Sequence, residues 1–254
     1  MEAVTFGVEG GLATVRMRRE HGNAINGDLL DGLEVAFRWA ADDPRVRGVL
    51  LAAGGKLFCP GLDLHDLAAL DRPSMARFMA RFSGTIFAMH TFPKPVVAAI
   101  GGHALAGGCL LTLTADWRVL RNGALVGLNE IKVGVPLPFA VTHLLRDSVH
   151  RPRLEEVALL GRNYSGREAV RTGLVHEILE DDRFEEHCLE RLEEFASKDL
   201  SAFGHTKRYL RSATAELMRA EDGRHADEFL DCWFSPETRT RIEQIVADLG
   251  ARSG

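Results

Sequence analysis

Residues 96–116 read VVAAIGGHALAGGCLLTLTAD. Val96 to Ile100 is an apolar, β-favouring run, broken at Gly101 and Gly102. His103-Ala104-Leu105-Ala106 leads to a second pair, Gly107 and Gly108. Cys109 to Ala115 is apolar again, and Asp116 closes it. The pattern predicts a buried strand, a tight turn and a helix starting at the second glycine pair. That helix is hydrophobic on nearly all sides, which places it inside the fold. The first amides of a helix lack intrahelical acceptors and carry partial positive charge. A polarised oxygen can approach a glycine amide there closely, which makes Gly107 half of an oxyanion hole. The competing reading is that Gly107 and Gly108 only permit close packing. GGHALAGG does not have the GxGxxG spacing of a dinucleotide site, and no acidic residue ends a following strand at the required distance.

Upstream, Val4 to Val8 and Leu12 to Met17 read as strands joined by Gly10-Gly11. His21-Gly22-Asn23 reads as a turn. Ile25 to Ala41 reads as a helix with Leu29, Leu33, Phe37 and Ala40 on one face. Val46 to Ala52 is a strand closed by Gly54-Gly55. Residues 56–66, KLFCPGLDLHD, read as an irregular loop. Pro60 blocks a central strand and Gly61 admits an unusual backbone angle. From Ser74 a helix carries Met75, Phe78 or Met79, Phe82, Ile86 and Met89 as a core stripe or the wall of an acyl pocket.

Downstream, short strands flank Arg121-Asn122-Gly123, and LNEIKVGVPLPF follows at 128–139. Glu130 is the one carboxylate in that apolar stretch. In low-dielectric surroundings its pKa rises, which suits proton transfer near neutrality. The other reading is a surface glutamate beside the helix after Pro138. Ser165 with Glu168 has the spacing of a capping box. Past Asp181 the sequence reads as helices at 184–197, 201–213, 215–232 and 236–249, with a frayed end. Their apolar faces, with Trp233 and Phe234, suit packing on the core or on a neighbouring subunit.

The chain has 254 residues and a formal charge of −5, with both signs interspersed. This predicts one main α/β domain with an appendage and argues against a nucleic-acid surface. Four separated cysteines with no CxxC, and an N-terminus that opens on strand-like sequence, give a cytoplasmic, reduced protein as the expectation. No apolar span reaches membrane-crossing length. Ten histidines form no ligand motif, so no metal is expected. Cys59 and Cys109 read as small apolar fillers.

The chain resembles the crotonase superfamily, the enoyl-CoA hydratases and isomerases. The blocks that carry the resemblance run in order along nearly the whole chain. They are NAIN at 23–26, FCPGLDL at 58–64, PVVAAI at 95–100, GGHALAGGC at 101–109, GLNE at 127–130, VG at 133–134 and GREAVRTGLV at 166–175. The resemblance implies a repeated ββα spiral core, 1–195, and a C-terminal helical trimerisation region, 196–254. It implies a homotrimer or homohexamer and a coenzyme A thioester as substrate, with no further cofactor. The two amides that bind the thioester oxygen fall on Leu62 and Gly107. Lys56 and Phe58 are implied near the nucleotide, and Lys207 near a phosphate from an adjacent subunit.

A typical hydratase has two glutamates around its water. The second falls on Glu130, and the first falls on Leu110, which neither takes a proton nor orients water. The segments around Leu110 and Asn129-Glu130 resemble the mitochondrial-type Δ3,Δ2-enoyl-CoA isomerases, which pair a leucine with one glutamate. An isomerase of fatty-acid metabolism is therefore the expectation, with Leu110, Leu128 and Ile131 keeping water out. The alternatives are hydration or thioester hydrolysis recruiting His65, His103 or Asp63, and a non-catalytic acyl-CoA or RNA binder. The acidic balance argues against RNA.

Overall fold

The computed structural model describes residues 2–180 and 182–253. Strands β1 (Val4–Glu9) and β2 (Leu12–Met17) pair antiparallel around Gly10-Gly11. Helix α1 (Glu20–Asn23) is one distorted turn in which His21, Gly22 and Asn23 all have positive φ. Helix α2 (Gly27–Asp42) starts two residues later than expected. Asn26 caps it, accepting from the Leu29 amide at 3.1 Å, while Ile25 is drawn into a bridge with Leu62. The Asn26 Nδ2 also donates to Asp66 at 2.9 Å, tying the cap to the segment after Leu62. Asn26→Ala is expected to cost about 1 kcal/mol, measured by urea denaturation.

Three ββα turns follow. The first has β3 (Gly48–Ala53), β4 (Leu57–Cys59), α3 (Leu64–Leu67) and α4 (Arg72–His90). The second has β5 (Val96–Ile100), β6 (His103–Leu105) and α5 (Gly107–Leu113). The third has β7 (Trp117–Arg121), β8 (Val126–Gly127) and α6 (Glu130–Val133). Each turn gives one strand to a six-stranded sheet and the next to a four-stranded one, cornering at Gly54-Gly55, Gly101-Gly102 or Asn122-Gly123. Residues 56–66 are thus more regular than their sequence suggests. Leu57–Cys59 pairs parallel with β6, and Asp63 caps α3 by accepting from the amides of His65 and Asp66.

Helix α7 (Val141–Ser148), a 3-10 turn at Arg151–Arg153 and α8 (Leu154–Leu159) lead to β9 (Asn163–Tyr164), antiparallel to β8. Helix α9 (Gly166–Thr172) has Ser165 at its N-cap, but no side-chain capping bond forms, so the expected capping box is absent. Strand β10 (Glu177–Leu179) completes the larger sheet, in order β1-β2-β3-β5-β7-β10, all parallel beyond β2. The smaller runs β4-β6-β8-β9.

Four helices end the chain: α10 (Phe184–Ala196), α11 (Leu200–Ala220), α12 (Ala226–Trp233) and α13 (Pro236–Ser253). The sequence-based break near 214 is wrong, since α11 runs on to Ala220 and the chain turns at Glu221–His225. Phe184, Cys188 and Leu192 of α10 cover one face of the large sheet over Leu50, Val97 and Val119. The main core lies on the other face and includes Met218, Phe229, Leu230, Trp233 and Ile242. The C-terminal helices therefore fold back on their own chain. Among the described residues no helix is long and apolar enough to cross a membrane.

Glycine 108 shows how tightly α5 is seated. A Cβ there would stand 2.1 Å from the Cys59 carbonyl oxygen. Close packing is thus the right reading for Gly108, which brings the α5 N-terminus against β4.

Candidate active site

Two backbone segments meet where α5 begins. In the Ile25–Leu62 bridge, the Ile25 amide donates to the Gly61 carbonyl at 2.8 Å and the Asp63 amide donates to the Ile25 carbonyl at 2.9 Å. Successive amides of an extended chain point opposite ways, so the Leu62 amide faces away from Ile25. The second segment is Ala106-Gly107. Ala106 sits at φ 49° and ψ −126°, a conformation costing a non-glycine residue about 1–3 kcal/mol. It is held there by its amide, which donates to the Gly127 carbonyl at 2.8 Å. Gly107 follows as the first helical residue, with its amide free of the helix ladder. The segments touch: a Cβ built on Gly61 would lie 3.4 Å from the Gly107 nitrogen.

Leu62, Gly107, Leu110 and Glu130 line one cavity of about 690 Å³. Most of its remaining wall is apolar, from Met79 and Phe82 of α4, Val133, Val135, Pro136 and Pro138, Phe229 and Trp233 of α12, and Ile245, Val246 and Leu249 of α13. Both Glu130 carboxyl oxygens are buried without a hydrogen-bond partner among the described residues. Burial pushes the Glu130 pKa from 4.5 up to about 7, and the nearby backbone amides of Glu130 and Asn129, which are not in hydrogen-bond geometry with it, act in the opposite direction. Of the two readings open for Glu130, the buried one holds.

Asp63 also lines the cavity, but its carboxylate is taken up by Arg19 at 2.6 Å and by the two amides it caps. His65 and His21 stand exposed at the rim. His103 does not line the cavity; its Nδ1 accepts from the Leu125 amide at 3.0 Å. Cys59 and Cys109 are buried, and burial pushes the Cys59 thiol up to about 12 and raises Cys109 as well, so neither is a thiolate at neutral pH.

Some expected residues lie elsewhere. Phe58 is 1 % exposed inside the core, because alternation along β4 turns Leu57, not Phe58, to the cavity. Its ring is not available to a nucleotide. Lys56 is exposed just before β4. Lys207 is buried, with its ammonium 2.7 Å from Asp116 and donating to the Lys94 carbonyl at 3.0 Å. It lines a separate groove of about 720 Å³ between α4 and α11. Burial lowers its pKa to about 8 despite Asp116. Its charge locks α11 onto β5 and β7 rather than waiting for a phosphate. Ile131 is 49 % exposed and Leu128 sits in the core, so the dry wall near Glu130 is built by Leu110, Val133, Val135 and Trp233 instead.

The α12 and α13 wall was missed as part of the site. Ile242, Ile245, Val246 and Leu249 are spaced as one helical face, the only signal the sequence carries for it.

Comparison with known proteins places this arrangement. The family model described as "Enoyl-CoA hydratase/isomerase" matches residues 7–235. A probable enoyl-CoA hydratase of Rhizobium meliloti is 29% identical over 93% of this chain and 91% of its own. The human mitochondrial enoyl-CoA delta isomerase 1 is 24% identical over 96% of this chain and 82% of its own. The crystal structure of human mitochondrial delta3-delta2-enoyl-CoA isomerase superposes with a TM-score of 0.93 at 23% identity, covering 99% of this chain and 100% of that one. An enoyl-CoA isomerase structure from Mycobacterium tuberculosis gives 0.83 at 24%, covering 90% and 99%. The solved structures agree on the fold, and the family model over residues 7–235 shows that the chain belongs to the enoyl-CoA hydratase/isomerase family.

Proposed function

We propose that the chain is an enoyl-CoA isomerase that moves a 3-enoyl-CoA double bond to the 2-trans position. The observation that carries this reading is Glu130, whose carboxyl is unpaired among the described residues and faces a cavity that Leu110 also lines, and Leu110 stands where the resemblance to the hydratases implies their other glutamate. The Leu62 and Gly107 amides polarise the thioester carbonyl and acidify C2. Glu130 takes the C2 proton, and the electron pair delocalises as a dienolate whose charge rests on the oxygen. The same carboxyl returns the proton to C4, leaving the double bond between C2 and C3. The apolar wall keeps out the water that hydration needs. We assign the nucleotide end of the thioester to Lys56, which is supported only by its exposure just before β4.

The test is a panel of 3-enoyl- and 2-enoyl-CoA thioesters followed by mass spectrometry and ultraviolet absorbance. Isomerisation well above water addition is the expected result; hydration or thioester cleavage as the main reaction sinks the reading. Because Glu130 must be ionised to act, kcat/KM is expected to fall tenfold per unit below about pH 7 and to level off above it, as a pH–rate profile reads.

We also propose that copies associate through the 196–254 region as a trimer or hexamer. Tyr209 and Leu210 of α11 are 68% and 78% exposed, which supports an interface there. Light scattering of the parent and of a Leu210→Glu variant checks it: a monomeric parent overturns the proposal.

A further inference from the structure

Met79, Pro136, Pro138 and Phe229 line the acyl cavity on one side and a second cavity of about 230 Å³ on the other. Inside, that second space is bounded by Ala76 and Ala80 of α4 and by Leu137 and Leu230. Its outer rim is the exposed turn from Asp222 to Glu228. Two rim side chains already have partners, while Asp222 stands at the rim with no ion pair among the described residues. Arg224 pairs with Glu221 at 2.9 Å and His225 with Glu228 at 2.6 Å. With Ala76, Met79, Ala80, Leu137, Phe229 and Leu230 around it, the interior suits an apolar occupant.

The partition has one movable member. The prolines are fixed in the backbone, and Phe229 is buried and stacked on Trp233, with ring centroids 6.1 Å apart. Met79 is half-buried, unbranched and has three rotatable side-chain bonds. We propose that the two cavities form one acyl path with Met79 as its gate, so that the substrate class is a long-chain enoyl-CoA whose tail passes Met79 toward the Asp222–Glu228 turn. This rests on the acyl-CoA reading above and adds the chain length to it.

The experiment measures Kd for hexanoyl-, decanoyl- and tetradecanoyl-CoA by calorimetry. These saturated thioesters have no double bond to move, so the result does not depend on the isomerase assignment. In the parent, affinity is expected to keep rising from decanoyl to tetradecanoyl, by up to about fourfold per methylene buried. Ala80→Phe fills the outer cavity from an exposed helix position and is expected to weaken tetradecanoyl-CoA at least tenfold more than hexanoyl-CoA. Ala226→Trp enters the same space from the opposite wall and is expected to act alike should the first variant fold poorly. Met79→Ala is expected to shift the ratio the other way. Affinity that stops rising at decanoyl-CoA, or a ratio unmoved by either filling variant, overturns the path while leaving the acyl-CoA site standing. Failure of every thioester to bind overturns the site reading and the path together.

Discussion

Glu130→Gln is expected to reduce the turnover of 3-enoyl-CoA by on the order of 10³–10⁴, the upper range for removing a positioned acid–base group. The figure sits high because, among the described residues, the other titratable groups of the cavity are engaged elsewhere or, like His65 and His21, stand at its exposed rim. Leu110 offers no proton acceptor, Asp63 is committed to Arg19 and the α3 cap, and His103 is committed to the Leu125 amide. Glutamine keeps the shape of the side chain and cannot take the C2 proton. An unfolding artefact is separable by linkage. The folded state holds the Glu130 proton up to about pH 7, whereas the unfolded chain releases it near 4.5. Between those values the folded state binds more protons, so the parent loses stability as pH rises, by up to about 3 kcal/mol once above both. Glutamine does not titrate. Its buried amide has a cost of its own, but that cost does not change with pH. Melting temperatures taken from pH 5 to pH 8 should therefore move in the variant's favour relative to the parent. Activity within tenfold of the parent removes Glu130 from the mechanism.

The pattern VVAAI-GG-HALA-GG announced strand β5, its corner and the helix that seats Gly107, because apolar runs and glycine pairs act locally, but the tight turn expected between them contains the three-residue strand β6. The order of conserved-looking blocks in one chain carried the spiral, yet the three ββα turns share no detectable sequence repeat. What they share is a corner after the first strand, made twice by Gly-Gly and once by Asn-Gly, and such dipeptides are too common to announce a repeat. The loop at 56–66 looked irregular because three-residue strands and one-turn helices leave no periodicity to read. Phe58 and Lys207 were placed by analogy of position. Strand alternation turned the first inward, and Asp116, distant in sequence, claimed the second. The wall from α12 and α13 depends on a chain reversal at Glu221–His225, and which face of a C-terminal helix meets the core is a tertiary fact that no local spacing encodes.

Gly61→Ala is expected to lower kcat/KM for isomerisation by about 10²–10³, the cost typical of losing one oxyanion donor. Gly61 has φ +108°, a backbone that L side chains rarely adopt. The added methyl would stand 2.8 Å from the Ala106 Cβ, 3.3 Å from the Leu105 carbonyl oxygen and 3.4 Å from the Gly107 nitrogen. Two of these neighbours are backbone, so relief requires the segment before Leu62 to separate from the segment before Gly107. That moves the two amides relative to each other without touching Glu130, and the expected signature is a fall in kcat with acyl-CoA binding reduced far less. The tightest contact is with the Ala106 methyl, and Ala106 is itself strained at φ 49°. Adding Ala106→Gly removes both the methyl and that strain, so the double variant is expected to recover part of the lost rate. Steady-state kinetics on the parent, the single variant and the double variant read this directly. A single variant within threefold of the parent would mean that the paired amides do not carry the oxyanion. Rescue by Ala106→Gly, in contrast, ties the rate to the spacing of these two segments, because the substitution acts on that spacing and adds no group able to take or give a proton.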